Sequence, residues 1–237
     1  MTQDQQDADL LLSTQGSDGI LRLTLNDPNR RNALSEVMLE ALGVAFDAAS
    51  TNPDVRVIIL AAAGPIFCAG HDLKEMTAGR QNVDRGRAYF TKILHQCSSV
   101  MQKIITCPKP VIAEIDGVAT AAGCQLVASC DLAVASETAQ FCTPGVHIGL
   151  FCSTPMVALS RNLANKHAME MLLTGDMVPA LRAAEMGLVN QVVASAELRT
   201  ATMALAGKIA AKSSRTVATG KRAFYQQKEM DLAAAYD

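Results

Sequence analysis

Hydrophobic and polar positions near the start of the chain alternate with the period of a β-strand. The run Ile20-Leu-Arg-Leu-Thr-Leu25 follows a turn that contains Gly16, Asp18 and Gly19, and an apolar-rich run at 9–14 precedes that turn. Strand-like runs on both sides of a glycine-bearing turn predict a β-hairpin.

A helical period appears twice, first after Ser35 and most clearly over residues 84–107. Ser35 is a suitable N-cap for the first helix. The second helix should end before Pro108 and Pro110, because proline lacks a backbone N–H and cannot continue a helix. The apolar residues that share a face are Val37, Met38, Ala41, Leu42, Ala45 and Phe46 in the first helix, and Phe90, Ile93, Leu94, Cys97, Met101, Ile104 and Ile105 in the second.

Shorter runs complete the pattern. Buried strands are predicted at Val55–Leu60, Val111–Ile115 and 131–135, with a short helix near 72–76 and a helix of small residues over 121–130. After about residue 154 the pattern predicts helices only, interrupted at Gly175, Pro179 and Gly187. Strands that alternate with helices and then give way to helices predict an α/β core with a helical C-terminal part.

The composition excludes several classes of protein. Of the 237 residues, 49% are hydrophobic and 19% charged, which favours a substantial core over disorder. The net charge is −2 and no basic block exceeds two residues, so nucleic acid and acidic membrane surfaces are not expected partners. Apolar stretches are all interrupted before 18 residues, so no membrane span is predicted.

The cysteines and the first residues bear on location and metal binding. Seven cysteines are scattered without a C-x-x-C pair, a pattern typical of reduced core thiols and not of a zinc site. The first ten residues, MTQDQQDADL, lack the features of a secretory or transit peptide. A cytoplasmic protein without a bound metal is therefore expected.

Two turns rich in small residues follow predicted buried strands. They are FCAGHDLKEM (67–76) and DGVATAAGCQL (116–126). Small residues let a ligand approach the backbone closely, and the first N–H groups of a helix have no partner within it. Two such N–H groups directed at one oxygen would form an oxyanion hole. Small residues equally allow tight strand–helix packing, so the residues alone leave both interpretations open.

Several segments, in order, resemble the crotonase (enoyl-CoA hydratase/isomerase) superfamily. FCAGHDLKEM and GVATAAGCQLVASCDLAVAS are similar to its two signatures, and NDPNRRNALS (26–35) to its N-terminal coenzyme A contact segment. AQFCTPGVHIGL (139–150) lies where the family has its second catalytic element, and AAEMGLVNQVV (183–193) matches its later helix-to-strand turn. The resemblance covers roughly residues 9–230.

The resemblance implies a fold and a set of site residues. The fold would be an α/β spiral of ββα units over residues 1–190, with a C-terminal helical oligomerisation region at 191–237. The backbone N–H groups of His71 and Ala122 would form the oxyanion hole. The residues implied to contact coenzyme A and the acyl group are Arg31, Ala33, Ala69, Asp72, Leu73, Val118, Ala121 and Thr143.

The chain departs from the family at the two glutamates with which its hydratases add water to the enoyl double bond. Those positions are Gln125 and Gly145 here. A neutral amide cannot accept and return a proton near neutral pH, and glycine has no side chain. General acid–base help contributes roughly 10²–10⁴ per group, so ordinary hydratase activity is expected to be very weak.

Other residues in these segments are alternative candidates for chemistry. Glu114 is more simply a paired carboxylate and His147 a structural histidine. Cys152 would need a base beside it to act as a nucleophile, and Ser153 is more simply a turn residue. The side chain of His71 could face the ligand or solvent.

Two functions therefore follow from the sequence. One is an acyl-CoA enzyme of fatty-acid metabolism, nominally an enoyl-CoA hydratase or isomerase. The other is a catalytically silent binder or scaffold that holds acyl-CoA. In both cases the coenzyme A thioester is substrate or ligand, no cofactor is permanently bound, and a homotrimer or dimer of trimers is expected from the resemblance. A nucleotide-binding domain is not favoured, since no glycine-rich phosphate motif occurs.

Overall fold

The computed structural model describes residues 10–237. Within this range ten strands form two sheets. The strands are β1 (Leu11–Gln15), β2 (Ile20–Leu25), β3 (Val57–Ala62), β4 (Ile66–Cys68), β5 (Val111–Ile115), β6 (Val118–Thr120), β7 (Leu132–Ser136), β8 (Gln140–Cys142), β9 (Val178–Pro179) and β10 (Gln191–Val193).

The helices connect these strands and extend beyond them. They are α1 (Glu36–Thr51), α2 (Leu73–Gly79), α3 (Arg87–Thr106), α4 (Ala122–Ser129), α5 (Ser153–Asn162), α6 (Asn165–Thr174), α7 (Ala180–Met186), α8 (Leu198–Ala210), α9 (Ser214–Gln227) and α10 (Leu232–Tyr236). Short 3-10 helices occupy Pro28–Arg30, Pro144–Ile148 and Ser195–Glu197.

A repeated ββα unit organises the core. Each of β3, β5 and β7 in the six-stranded sheet is followed by a short strand, β4, β6 or β8, in the four-stranded sheet, and then by helical structure. The larger sheet has the order β1-β2-β3-β5-β7-β10 and the smaller one β4-β6-β8-β9. Successive units therefore lie side by side in the same order in both sheets, as expected for the predicted spiral of ββα units.

Both faces of the larger sheet are covered. One face and the four-stranded sheet enclose the main core, which includes Phe46, Phe67 and Phe141, each at most 1% exposed. The other face packs against α8 through a smaller cluster that includes Ile59 and Ile112. Parallel strands buried on both faces account for the nearly unbroken apolar run of β3.

Several local predictions are confirmed. β1 and β2 pair antiparallel as a hairpin, although residue 9 of the predicted first strand lies outside the described residues. The hydroxyl of Ser35 accepts a hydrogen bond from the backbone N–H of Met38 at 3.2 Å, which caps α1. α3 ends at Thr106, before Pro108.

Two predictions about the fold need correction. The chain after residue 154 is not wholly helical, because β9 pairs antiparallel with β8 and β10 pairs parallel with β7. Strands of two or three residues are too short to show a strand period. The small-residue turns also do not follow the long strands directly, since β4 and β6 intervene. The division at residue 190 remains a prediction, and β10, immediately after it, belongs to the larger sheet.

Candidate functional site

The candidate site lies at the carboxyl edge of the four-stranded sheet. β4, β6 and β8 are parallel neighbours there. His71 follows the end of β4, Ala122 follows β6 and Gly145 follows β8. Because the carboxyl ends of adjacent parallel strands meet at one edge of a sheet, the topology brings together three segments that are spread over residues 71–145.

The first turn is fixed by the segment that precedes α1. Leu34 donates its backbone N–H to the carbonyl of Gly70 at 2.7 Å, and Ala69 donates to the carbonyl of Arg31 at 3.1 Å. Asp72 then caps α2, accepting from the N–H of Lys74 at 2.8 Å. These bonds satisfy the groups around His71 and leave its own N–H without an acceptor among the described residues.

The second turn contains a non-glycine residue in an unusual conformation. Ala121 has φ +52° and ψ −119°, a region that L-residues rarely occupy and that costs of order 1–3 kcal/mol. Its N–H is held by the carbonyl of Cys142 on β8 at 2.9 Å. The next residue, Ala122, is the first of α4, so its N–H has no intrahelical partner, and no other described group accepts it.

The two turns touch each other. Gly70 has φ +85°, and a Cβ placed on it would lie 3.1 Å from the backbone nitrogen of Ala122. A Cβ on Gly123 would lie only 2.2 Å from the carbonyl oxygen of Cys68. Glycine is therefore required at both positions for the backbones to approach. The result is a pair of backbone N–H groups, those of His71 and Ala122, that lie on touching turns and have no acceptor among the described residues.

The side chain of His71 is enclosed beside this turn. Its Nε2 atom is buried and has no hydrogen-bond partner among the described residues. Burial lowers the pKa of the imidazole below its usual value, because desolvation disfavours the charged form. The ring is therefore neutral at pH 7 and adds no positive charge to the site.

Gln125 lies in the first turn of α4 and is only 4% exposed. Its Oε1 atom is buried without a hydrogen-bond partner in the described residues. A buried amide left unpaired costs about 1–3 kcal/mol. This side chain is thus a strong candidate to bind a ligand or an ordered water, although an amide cannot serve as a base.

Gly145 lies in the 3-10 helix after β8. A side chain at this position would contact a residue that the sequence did not indicate. A Cβ on Gly145 would lie 2.9 Å from the Sγ of Cys152 and 3.0 Å from the carbonyl oxygen of Leu150. The thiol of Cys152 therefore lies beside the space into which a residue-145 side chain would project. Burial raises the pKa of this thiol, so it is protonated and is neither a nucleophile nor a base.

The alternative catalytic candidates have structural partners. Glu114 forms a largely buried ion pair with Arg22, whose Nη1 donates to Oε2 at 3.0 Å. His147 Nε2 lies 2.8 Å from the carbonyl oxygen of Thr174. Ser153 is exposed and its hydroxyl donates to the carbonyl of Phe151 at 3.3 Å. The structural interpretations of these residues are the ones that the contacts favour.

The residues implied to contact coenzyme A differ in their exposure to solvent. Arg31 and Leu73 are exposed, Val118 and Ala69 are half-buried, and Ala33 is buried. Ala121 is half-buried at the turn itself. They flank the two turns along the segments already described.

Two further implied contact residues are engaged within the protein. The carboxylate of Asp72 caps α2 and also lies 3.6 Å from Arg30. Thr143 is fully buried and its hydroxyl donates to the carbonyl of Met171 at 2.9 Å. The side chains of Asp72 and Thr143 therefore stabilise the segments around the site through hydrogen bonds within the protein.

Among residues 10–237, no three His, Cys, Asp or Glu side chains come together in a way that could hold a metal ion. In the same part of the chain, no helix combines the length and apolar character needed to cross a bilayer.

Comparison with known proteins adds independent findings. A family model described as enoyl-CoA hydratase/isomerase matches residues 15–237. The chain is 48% identical over 226 residues to "Enoyl-CoA hydratase domain-containing protein 3, mitochondrial" of Rattus norvegicus, covering 95% of this chain and 74% of the relative. The human protein of that name is 49% identical, with 94% and 72% covered.

Solved structures give the same result. The crystal structure of an enoyl-CoA hydratase from Mycobacterium smegmatis superposes with a TM-score of 0.91 and 51% identity, covering 96% of this chain and 86% of that one. Human enoyl-CoA hydratase domain-containing protein 3 gives a TM-score of 0.90 and 47% identity, with 96% and 87% covered.

The predicted cytoplasmic location is wrong by this comparison. The relatives from rat, mouse and human are all named as mitochondrial. The prediction depended partly on the cysteines, all seven of which are free thiols. Free thiols indicate a reducing environment and do not distinguish one such compartment from another. The residues 1–9 used in the same prediction lie outside the described part of the chain.

Proposed function

The chain belongs to the enoyl-CoA hydratase/isomerase family, and we propose that it binds an acyl-CoA thioester through the N–H groups of His71 and Ala122. The observation that carries the proposal is the contact between two turns, each of which presents an N–H that has no acceptor within residues 10–237. In a buried setting, such donors stabilise negative charge on a carbonyl oxygen without reorganisation.

The same site lacks the groups that move protons in hydration. Water addition to an enoyl thioester needs a base to activate the water and an acid to protonate carbon. Gln125 offers a neutral amide, and Gly145 offers no side chain. The nearest sulfur, that of Cys152, is protonated because burial raises its pKa. The protein therefore polarises the thioester and hydrates it only weakly.

A catalytically silent acyl-CoA binder is the second candidate function. It is favoured by Gln125, whose buried Oε1 is suited to accept a hydrogen bond from a ligand. An acceptor of this kind contributes to binding in the ground state, which does not by itself raise the rate of the chemical step. Both functions require the same ligand and differ only in turnover, within fatty-acid metabolism.

Assembly as a homotrimer or a dimer of trimers is part of the proposal. Several large apolar side chains are exposed on α5, α6 and α7 and on the loops beside them. They include Met156, Val157, Met169, Leu173 and Leu181. Exposed large apolar side chains on neighbouring segments are a common feature of protein interfaces. Sedimentation-velocity ultracentrifugation tests this point, and a monomer at micromolar concentration would contradict it.

Calorimetry with a matched pair of ligands tests the binding proposal. Butanoyl-CoA carries the thioester carbonyl, whereas S-butyl-CoA is the thioether that lacks it. Each hydrogen bond contributes a net free energy of about 0.5–1.5 kcal/mol, so two should favour the thioester by roughly 5- to 150-fold. Equal affinities would mean that the two N–H groups do not bind the carbonyl, and binding of neither ligand would reject the function altogether.

A hydration assay with crotonyl-CoA distinguishes the weak enzyme from an ordinary one. A turnover number far below the enzyme median of about 10 s⁻¹ is expected. Turnover near that median would refute the conclusion that both proton-transferring groups are missing. Undetectable turnover together with thioester-selective binding would favour the silent binder.

A further inference from the structure

A separate cavity of about 450 Å³ lies between the end of α3 and α9. Its walls are mainly apolar and include Ile105, Pro108, Ala218 and the ring of Tyr225. Cavities of a few hundred Å³ with walls of this kind are typical of small-molecule sites. We propose that this cavity binds an amphiphilic carboxylate, that is, an alkyl chain that ends in a free carboxylate group. Neither His71 nor Ala122 lines it, so the inference goes beyond the proposed function.

The charge around this cavity has one sign. Among the described residues that line it there is no aspartate or glutamate, and there are three cations: Arg215, Lys221 and Arg222. A smaller neighbouring cavity shares part of the same wall. Its described lining is again free of acidic residues and contains a further three cations: Arg56, Lys109 and Lys212. The chain as a whole has a net charge of −2, so this local excess of cations is a feature of the fold that attracts anions.

Two of these cations are available to a ligand. Arg215 and Arg222 are exposed, and neither guanidinium has a hydrogen-bond or ion-pair partner within residues 10–237. They lie two helical turns apart on the same face of α9, about 10 Å from each other along its axis. The ammonium of Lys221, in contrast, is buried and bonded to Asp131 at 2.6 Å and to the carbonyl of Ile104 at 2.9 Å. The arginines therefore supply the anion-binding groups, while Lys221 holds α9 in place.

The combination of apolar walls and free guanidinium groups defines the class of ligand. The hydroxyl of Tyr225 donates to Asp131 at 2.9 Å, so the tyrosine offers the cavity its apolar ring. Each methylene that such walls remove from water strengthens binding by roughly three- to fourfold. A guanidinium binds a carboxylate through paired N–H donors. An inorganic anion would use only the arginines and an uncharged alkyl chain only the walls, whereas an amphiphilic carboxylate uses both.

Calorimetric titration of the whole chain with decanoate tests the inference. Saturating butanoyl-CoA is present, so that decanoate does not compete for the proposed thioester site. Decanoate should bind at least about tenfold more tightly than decylammonium, the matched cation, because the arginines attract one head group and repel the other. Added salt should weaken decanoate binding, because ions screen exposed charges. Absence of decanoate binding, or equal affinity for both amphiphiles, would overturn the inference and leave the proposed function intact. A chain that binds decanoate but not butanoyl-CoA would retain the inference and lose the proposed function.

Variants of α9 locate the ligand. Arg215→Gln and Arg222→Gln should each weaken decanoate binding by roughly two- to fivefold. The matched control is Arg199→Gln on α8, which removes another exposed arginine without a partner in the described residues and should bind decanoate as wild type does. Ala218→Phe fills the cavity and should abolish binding, whereas Ala204→Phe, at an exposed position of α8, should not.

The arginine variants change exposed side chains, so they test the inference even if Ala218→Phe does not fold. Unchanged decanoate affinity in both arginine variants would overturn the inference, as would undiminished binding by folded Ala218→Phe. Vesicles of phosphatidylglycerol serve as a further probe. Binding to these vesicles without binding to monomeric decanoate would mean that this face contacts a membrane surface, and would also overturn the inference.

Discussion

Glutamates placed at positions 125 and 145 should create hydratase activity only if the side chain of Cys152, which lies beside Gly145, is also replaced by a smaller one. Gln125→Glu is nearly isosteric and changes an amide whose Oε1 is already unpaired. Gly145→Glu is different, because its Cβ would lie 2.9 Å from the Sγ of Cys152. Overpacking of this kind costs typically 1–3 kcal/mol. The φ of Gly145 is outside the left-handed region, so the backbone itself permits a side chain.

The expected magnitudes follow from these contacts. Each acid–base group contributes roughly 10²–10⁴ to the rate, so both together could add several orders of magnitude. The double variant Gln125→Glu, Gly145→Glu should lose stability and gain little. Adding Cys152→Ala removes the atom nearest to the new Cβ, although the carbonyl of Leu150 remains at 3.0 Å. This triple variant should gain at least about 10²-fold in turnover.

The assay is crotonyl-CoA hydration, followed by loss of the absorbance of the conjugated double bond. Cys152→Ala alone is the control and should show no gain. Circular dichroism and butanoyl-CoA calorimetry establish that each variant is folded and binds its ligand. A triple variant that folds and binds the thioester yet hydrates no faster than wild type would refute the reasoning. In that case the glutamate side chains would not reach the double bond from these backbone positions.

Two other predictions concern stability. Lys221→Met should reduce the free energy of unfolding by about 3–5 kcal/mol, because it removes the cation of a buried ion pair with Asp131. At about 2–4 °C per kcal/mol, this loss lowers Tm by roughly 6–20 °C. The control is Lys208→Met, on an exposed part of α8. An equal Tm for the two variants would contradict the prediction. For His71, burial lowers the folded pKa, whereas the unfolded pKa is about 6.5. The unfolded chain therefore binds the proton first, and stability falls as the pH drops from about 6.5 through the folded pKa. Between about pH 7.5 and 5, Tm should therefore fall less in His71→Asn than in wild type. His95→Asn, at an exposed position, is the control and should fall as wild type does. Identical curves of Tm against pH for His71→Asn and wild type would disprove the role of His71.

Local periodicity predicted much of the fold because each signal is contained in a short stretch of sequence. The hairpin, the Ser35 cap and the end of α3 before Pro108 depend on neighbouring residues, and all were identified correctly. Periodicity did not reveal β10, because three residues cannot display a strand period, and only the resemblance of 183–193 to a helix-to-strand turn indicated it. Its pairing with β7 depends on a partner about 57 residues earlier in the chain.

In the candidate site, too, some features were predicted from the sequence and others were not. The segments around His71 and Ala122 were identified from their small residues and from their resemblance to a family, and the segment around Gly145 from the resemblance alone. The contact of Cys152 with the Gly145 position was not, because it depends on how the 3-10 helix and the following loop fold back. Nor does any local pattern reveal that Lys221 reaches Asp131 across 90 residues.

The main-chain origin of the two proposed donors has a consequence for how such a protein changes over generations. Every amino acid except proline carries a backbone N–H, so most substitutions at these two positions leave the donors in place. Proton transfer, in contrast, depends on side chains that a single codon change can remove. A lineage with this backbone can therefore lose its reaction and keep its ligand, and later acquire another reaction without inventing a new pocket.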